Sequence, residues 1–165
     1  MVERSGPSAR SAGPLYSEDE RRRRDDSAWT IVQGILAPLQ FAVFAVSAVL
    51  VLRFMATGEG FEAATISVVL KTGLLYLIMV TGSIWEKVVF GRWLFAPAFF
   101  WEDVFSFVVL ALHTAYLYAL FAGFDARTQM VIALCAYAAY LVNAVQFLLK
   151  FRLARADAAA GRALA

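Results

Sequence analysis

The stretch Trp85-Glu86-Lys87-Val88-Val89-Phe90-Gly91-Arg92-Trp93-Leu94-Phe95-Ala96-Pro97-Ala98-Phe99-Phe100-Trp101-Glu102-Asp103 runs from the end of one long apolar segment into the start of the next. It gathers three Trp, four Phe, three carboxylates and two cations. Anchoring at a bilayer surface accounts for the aromatic residues. It does not account for three acids at the same place. A ring-rich, acid-bearing pocket at a membrane edge suits a flat, apolar substrate and proton chemistry.

Working outward, the apolar residues fall in four blocks, residues 30–55, 63–85, 98–121 and 128–151. Each is long enough, at about 20 residues or more, to cross a hydrocarbon core as a helix. None alternates with the period of two that a membrane barrel needs. The chain of 165 residues is 61% hydrophobic, with a mean hydropathy of +0.67, well above a soluble domain. These features predict an all-α polytopic membrane protein: a bundle of four transmembrane helices forming one domain over residues 30–153. Residues 1–29 are polar and are expected to be a largely disordered tail, with Tyr16-Ser17-Glu18-Asp19-Glu20 starting a short interfacial helix. Residues 154–165 read as a frayed, disordered tail rich in Ala. No short apolar run with a small-residue cleavage site precedes the first span, so no cleaved signal peptide is expected.

Charge orients the bundle. Arg4, Arg10 and Arg21 to Arg24 precede the first span, Lys87 and Arg92 lie between the second and third, and Lys150, Arg152, Arg155 and Arg162 follow the fourth. The opposite side carries only Arg53 and Arg127. The positive-inside rule then places both termini and the aromatic turn in the cytoplasm. A net charge of +2 gives no support to nucleic-acid binding. Cys135 is the single cysteine, so an internal disulfide is excluded and plain packing is its expected role.

Polar groups inside a bilayer are costly, and each needs an account. His113, the only histidine, lies 12 residues past Trp101, about 18 Å inward at a rise of about 1.5 Å per residue. Lys71, Gln40, Asn143 and Gln146 also fall inside spans. At about 100° per residue Glu102 and His113 share a face, Lys71 and Glu86 lie on neighbouring stripes, and Asn143, Gln146 and Lys150 share one face. Three helices thus carry polar stripes expected to point at one another. Plain accounts stand beside the functional ones. Gln33, Gln40, Asn143 and Gln146 could serve as glue between helices, Lys71 could snorkel, and the tryptophans could form an interfacial belt. Glu102 and Asp103 could cap the third span, where the helix dipole favours anions. That role needs one acid, and two adjacent acids plus Glu86 leave a surplus. No cysteine pair, histidine pair, phosphate loop or Gly-x-Gly-x-x-Gly occurs, so no metal of the protein's own, nucleotide or redox cofactor is expected.

Several strings together carry a family resemblance. They are Val32-Gln33-Gly34-Ile35-Leu36-Ala37-Pro38-Leu39-Gln40-Phe41, Tyr76-Leu77-Ile78-Met79-Val80-Thr81-Gly82-Ser83-Ile84-Trp85-Glu86-Lys87, Leu94-Phe95-Ala96-Pro97-Ala98-Phe99-Phe100-Trp101-Glu102-Asp103, Leu112-His113-Thr114-Ala115-Tyr116 and Asn143-Ala144-Val145-Gln146-Phe147-Leu148. Over residues 15–155 the chain resembles the 3-vinyl (2-vinyl in older ring numbering) bacteriochlorophyllide hydratases of bacteriochlorophyll biosynthesis. The resemblance implies a hydro-lyase that adds water across the vinyl group of a chlorophyllide-type Mg-tetrapyrrole. The product carries a 1-hydroxyethyl group, which a separate dehydrogenase then oxidises.

The residues suit that chemistry. Trp85 and Trp101 offer rings for the macrocycle to stack on. Lys87, Arg92 or the Arg21 to Arg24 run could hold its propionate. One acid would protonate the terminal vinyl carbon, and water, deprotonated by a second group, would attack the inner carbon. Glu102 and Asp103 are the expected pair, with Glu86 in reserve. His113 is expected to ligate the substrate's Mg²⁺ or to donate the proton, with Lys71, Asn143 and Gln146 lining the substrate site. Two rival readings use the same residues: a tetrapyrrole-binding or assembly protein without catalysis, and a proton path through Lys71, His113 and Glu102. Membrane lipid, the dehydrogenase and further copies of the chain are the expected partners.

Overall fold

The structure, a computed structural model, describes residues 15–163. The tail expectation for residues 1–14, with Arg4 and Arg10, and that for residues 164–165 lie outside them. Among the described residues the chain is entirely helical: α1 (Glu18–Asp26), α2 (Ala28–Thr57), α3 (Phe61–Phe90), α4 (Phe100–Phe121) and α5 (Ala126–Ala163). Four helices are long and apolar enough to cross a membrane, with the span in α5 covering Ala126–Arg152. The sequence boundaries fall within a few residues of these.

Within the polar N-terminal tail the chain forms α1, which begins inside Tyr16-Ser17-Glu18-Asp19-Glu20, where a short helix was expected to start. Ser17 caps it in a reciprocal capping box with Glu20, acids fill its first turn, and Arg23 and Arg24 its last, all favourable to the helix dipole. At the other end α5 continues to Ala163 through the stretch from 154 expected to be a disordered tail. Ala has the highest helix propensity, and no proline interrupts the run. Asp125 starts α5 by accepting from the Thr128 N–H and hydroxyl, which holds its carboxyl below the usual range.

α2 lies closely along α3, and α4 along α5; the seams between these two hairpins, α2 with α5 and α3 with α4, are thinner. Side-chain hydrogen bonds fix the antiparallel register of the first hairpin: Trp85 Nε1 donates to Thr30 Oγ1 at 2.9 Å, Gln33 Nε2 to Thr81 Oγ1 at 2.8 Å, Lys71 Nζ to Gln40 Oε1 at 2.7 Å, and Ser47 bonds Ser67 at 2.6 Å. In the second, Asn143 Nδ2 donates to Ser106 Oγ at 2.8 Å and Lys150 Nζ to Glu102 Oε2 at 2.6 Å. Gly58 and Gly91 end α2 and α3 in the left-handed region, at φ 75° and 76°, where a side chain would be strained.

Small and aromatic residues fill the interior. Phe44 of α2 meets Tyr137 edge-on at 5.3 Å and Tyr140 at 4.9 Å, closing the seam with α5. Large apolar side chains such as Ile35, Val46, Phe121 and Leu148 face outward, as lipid requires. Cys135, expected to pack inside, is exposed on that outer surface.

Lipid solvates a phenyl ring as well as the core does, so truncating Phe44 costs only the cavity it leaves. At about 24 cal/mol per Å³ that cavity makes Phe44→Ala about 2 kcal/mol less stable, measured by thermal unfolding in detergent, with an apolar outward change such as Ile35→Ala as the near-neutral control.

Candidate active site at the turn between α3 and α4

α3 ends at Gly91 and α4 begins at Phe100, so residues 92–99 run as a turn with no helical partner for their N–H groups. Buried N–H groups need acceptors. Two consecutive amides find them in two acids: Phe95 N–H donates to Asp103 Oδ2 at 2.7 Å, and Ala96 N–H donates to Glu86 Oε2 at 3.1 Å. Glu86 arrives from the last turns of α3 and Asp103 from the first turn of α4. Held on consecutive amides, the two carboxyls are brought close together. Both side chains are about 5% exposed.

Phe95 pays for this geometry with φ at 58°, a region rarely occupied by a bulky residue. Its ring is held by stacking on Phe107 at 5.6 Å and by Phe100 at 5.7 Å. The other sequence neighbour turns away. Glu102 is buried against Lys150, whose ammonium also lies 5.0 Å from the Phe99 ring. Neither acid caps α4: its N-cap is Phe99 and receives no side-chain hydrogen bond. The expected pairing of Glu102 with Asp103 is thus replaced in space by Glu86 with Asp103.

The aromatic residues divide between an inner plug and an outer rim. Tyr16, Trp85, Phe90 and Phe99 form the plug, with ring centres of adjacent members 5.7–6.3 Å apart. Arg23 Nε ties α1 to this end by donating to the Val89 carbonyl at 2.8 Å. Burial pushes the Tyr16 phenol up, against the opposing pull of Arg24 above its ring. The rim is Trp93, Phe95, Phe100 and Trp101. Trp93 is 60% and Trp101 65% exposed. Lys87 and Arg92 are exposed beside it, with Lys87 Nζ on the Gly91 carbonyl at 2.9 Å and 5.9 Å from the Trp93 ring. Trp85, expected as a platform, instead belongs to the plug.

The remaining residues singled out in the sequence lie deeper. Lys71 and His113 are fully enclosed (0% exposed), Asn143 is buried on Ser106, and Gln146 is half-buried with its Oε1 unpartnered. His113 is ten residues from Asp103 on α4, about 15 Å along the axis. Sequence reasoning did not single out Tyr137 and Tyr140, whose rings lie against His113 and Lys71 respectively, nor the amides of Phe95 and Ala96. The tyrosines carried a signal: with Asn143 they step by three along α5, continuing the stripe of Asn143, Gln146 and Lys150.

The 2-vinyl bacteriochlorophyllide hydratase family model matches residues 16–153, which include every side chain described above. The chain belongs to that family. It is 66% identical over 155 residues, 94% of this chain and 91% of the relative, to the 2-vinyl bacteriochlorophyllide hydratase of Rhodobacter capsulatus. It is 68% identical over 143 residues, 87% of this chain and 89% of the relative, to the protein of the same name from Cereibacter sphaeroides. No solved structure matches the chain.

The ion pair of Glu102 with Lys150 is only partly buried, so breaking it costs less than the 3–5 kcal/mol of an enclosed pair. Lys150→Met should lower stability by about 2 kcal/mol because it leaves a shielded carboxylate alone. Adding Glu102→Leu should restore most of that loss. Thermal unfolding of the single and double variants measures it.

Proposed function

We propose that this hydratase adds water to the vinyl group of a chlorophyllide or 3-vinyl bacteriochlorophyllide at the turn between α3 and α4, with Glu86 and Asp103 as its acid and base. The observation that carries the reading is their convergence on adjacent backbone amides beside an exposed aromatic rim, in a chain of the hydratase family. The tetrapyrrole is the substrate and brings its own Mg²⁺. Its flat face lies on Trp93, Phe95 and Trp101 at the membrane edge, and Lys87 or Arg92 takes the propionate.

The pair holds one proton between two carboxyls. It delivers that proton to the terminal vinyl carbon, which becomes a methyl group. Positive charge develops on the inner carbon and spreads into the ring, and the buried carboxylates stabilise it electrostatically. Water attacks the inner carbon to form the carbon–oxygen bond. The proton it sheds returns to the pair, which is ready for the next cycle. Glu102 takes no part in the transfer; as the partner of Lys150 it fixes the first turn of α4. The cation pattern supports a cytoplasmic position for this turn, within a photosynthetic inner membrane. The product's hydroxyethyl group is the substrate for a following dehydrogenase.

Purified protein incubated with chlorophyllide a in detergent should convert it to a product heavier by one water, with a blue-shifted red absorption band. Glu86→Gln and Asp103→Asn should each lower turnover by about 10²- to 10⁴-fold while pigment binding persists, and Glu102→Gln should lose less than either. Tight binding without a mass change in the unaltered protein would leave a pigment-binding protein instead. Equal loss of binding and turnover in all three variants would move the chemistry away from this pair.

A further inference from the structure

The centre of the bundle holds a second cluster of reactive side chains that the acid pair does not use. Lys71 of α3 is fully enclosed, and among the described residues it forms no ion pair. Its Nζ donates to Gln40 Oε1 of α2 at 2.7 Å and sits 3.7 Å from the centre of the Tyr140 ring of α5. His113 of α4 is also fully enclosed, with its ring 5.9 Å from Tyr137. Tyr137 and Tyr140 are one turn apart on α5 and both pack on Phe44, so Lys71 and His113 flank one aromatic cluster, and all four spanning helices contribute to this part of the interior.

Its hydrogen bonding is incomplete in a specific way. The Val109 carbonyl, 2.8 Å from His113 Nδ1, can only accept, so Nδ1 carries the hydrogen. In the neutral imidazole Nε2 is then an acceptor. That Nε2 and the Gln40 Nε2 are both buried without a protein partner. Lys71, with three N–H donors, has one on Gln40 and one toward the Tyr140 face. Around this cluster the groups left to be satisfied are two donors, from Lys71 and Gln40, and one acceptor on His113.

We infer that Lys71, Gln40 and His113 form a binding site for an ordered water molecule at the junction of the four helices. A water accepts from Lys71 and Gln40 and donates to His113, meeting about the three hydrogen bonds typical of buried water. Other ligands match this set poorly. A carboxylate meets the lone pair of His113. A metal ion meets the Lys71 nitrogen, which already occupies a cation's place over Tyr140. An apolar guest leaves every one of the polar atoms unpaired. The site is about 15 Å from Asp103, so this water is distinct from the one consumed at the acid pair, and the inference stands whether or not that pair is catalytic.

His113 is the only histidine, so ¹⁵N-histidine labelling gives a single imidazole to observe in the whole protein in lipid. Magnetisation from water protons should reach His113 Nε2 in a water-edited spectrum, at a shift typical of a hydrogen-bonded acceptor. Lys71→Met should weaken that transfer while the Nδ1 signal, which reports the bond to Val109, stays in place. Absence of transfer in the unaltered protein, with surface amides serving as the positive control, overturns the assignment. So does a large displacement of the Nε2 signal on adding Mg-chlorophyllide, because it would make His113 a ligand of the pigment. Turnover is not part of either readout, so failure here and failure of the acid pair remain separate results.

Discussion

An enclosed lysine without a carboxylate is the constraint around which the rest of this bundle is arranged. Among the described residues Lys71 is fully enclosed and has no opposite charge to pair with. Its cost is reduced by a carbonyl oxygen from α2 and a ring face from α5. Those partners come from both hairpins. The seams that join the hairpins are thin, so a shift of one against the other would pull Lys71 away from Gln40 or from Tyr140. Apolar packing alone gives little such specificity in lipid, where a slipped helix is as well solvated as a seated one. The polar pairs along the helices, from Thr30 and Trp85 to Ser47 and Ser67, act in the same sense on the first hairpin.

The same scarcity of water shapes the turn at the other end of α3. A helix that stops leaves backbone groups without partners. At the turn after Gly91 two amides meet carboxyls, and the acids are thereby tied to the backbone that separates them. The shape of the turn and the spacing of the acids are one variable. Relaxing Phe95 from its positive φ would swing its N–H off Asp103, and the stacking of its ring on Phe107 opposes that relaxation. A strained bulky residue held by its neighbours beside two buried acids is the usual form in which a fold stores precision at a reactive site.

The spans were legible because apolar runs of this length have few alternatives, and the surplus of acids around the turn was legible because capping needs only one. Their partnership was not. Consecutive residues on a helix point about 100° apart, so Glu102 and Asp103 were poor candidates for each other, and Asp103 meets Glu86 only through the path of residues 92–99. That path depends on contacts among Phe95, Phe100 and Phe107, which no local pattern specifies. The alignment of Asn143 and Lys150 with α4 could be read from spacings of three and four, and both do reach that helix. Tyr137 and Tyr140 belong to the same stripe, but an aromatic ring in an apolar run looks like packing until a buried amine is found on its face. α1 was half visible in the capping pair of Ser17 and Glu20, while its attachment through Arg23 to a carbonyl 66 residues away was not.

The position proposed for the chemistry suits what a vinyl hydratase must bring together. One reactant is a large flat ring that partitions into lipid, and the other is water. The two coexist only near the bilayer surface. A catalytic pair at the level of His113 would be within reach of a lipid-dissolved ring but would need a water supply through a packed core. A pair in a polar tail would have water and no ring. Glu86 and Asp103 lie where the helices end, shielded themselves but next to an exposed rim of Trp93 and Trp101. In the proposed reaction a carboxylate shielded in this way acts unscreened on positive charge developing on the ring, and the exposed rim would leave that ring beside bulk water. The interior polar cluster, sealed among tyrosines, serves a different end. It ties the first hairpin to the second through Gln40, Lys71 and Tyr140.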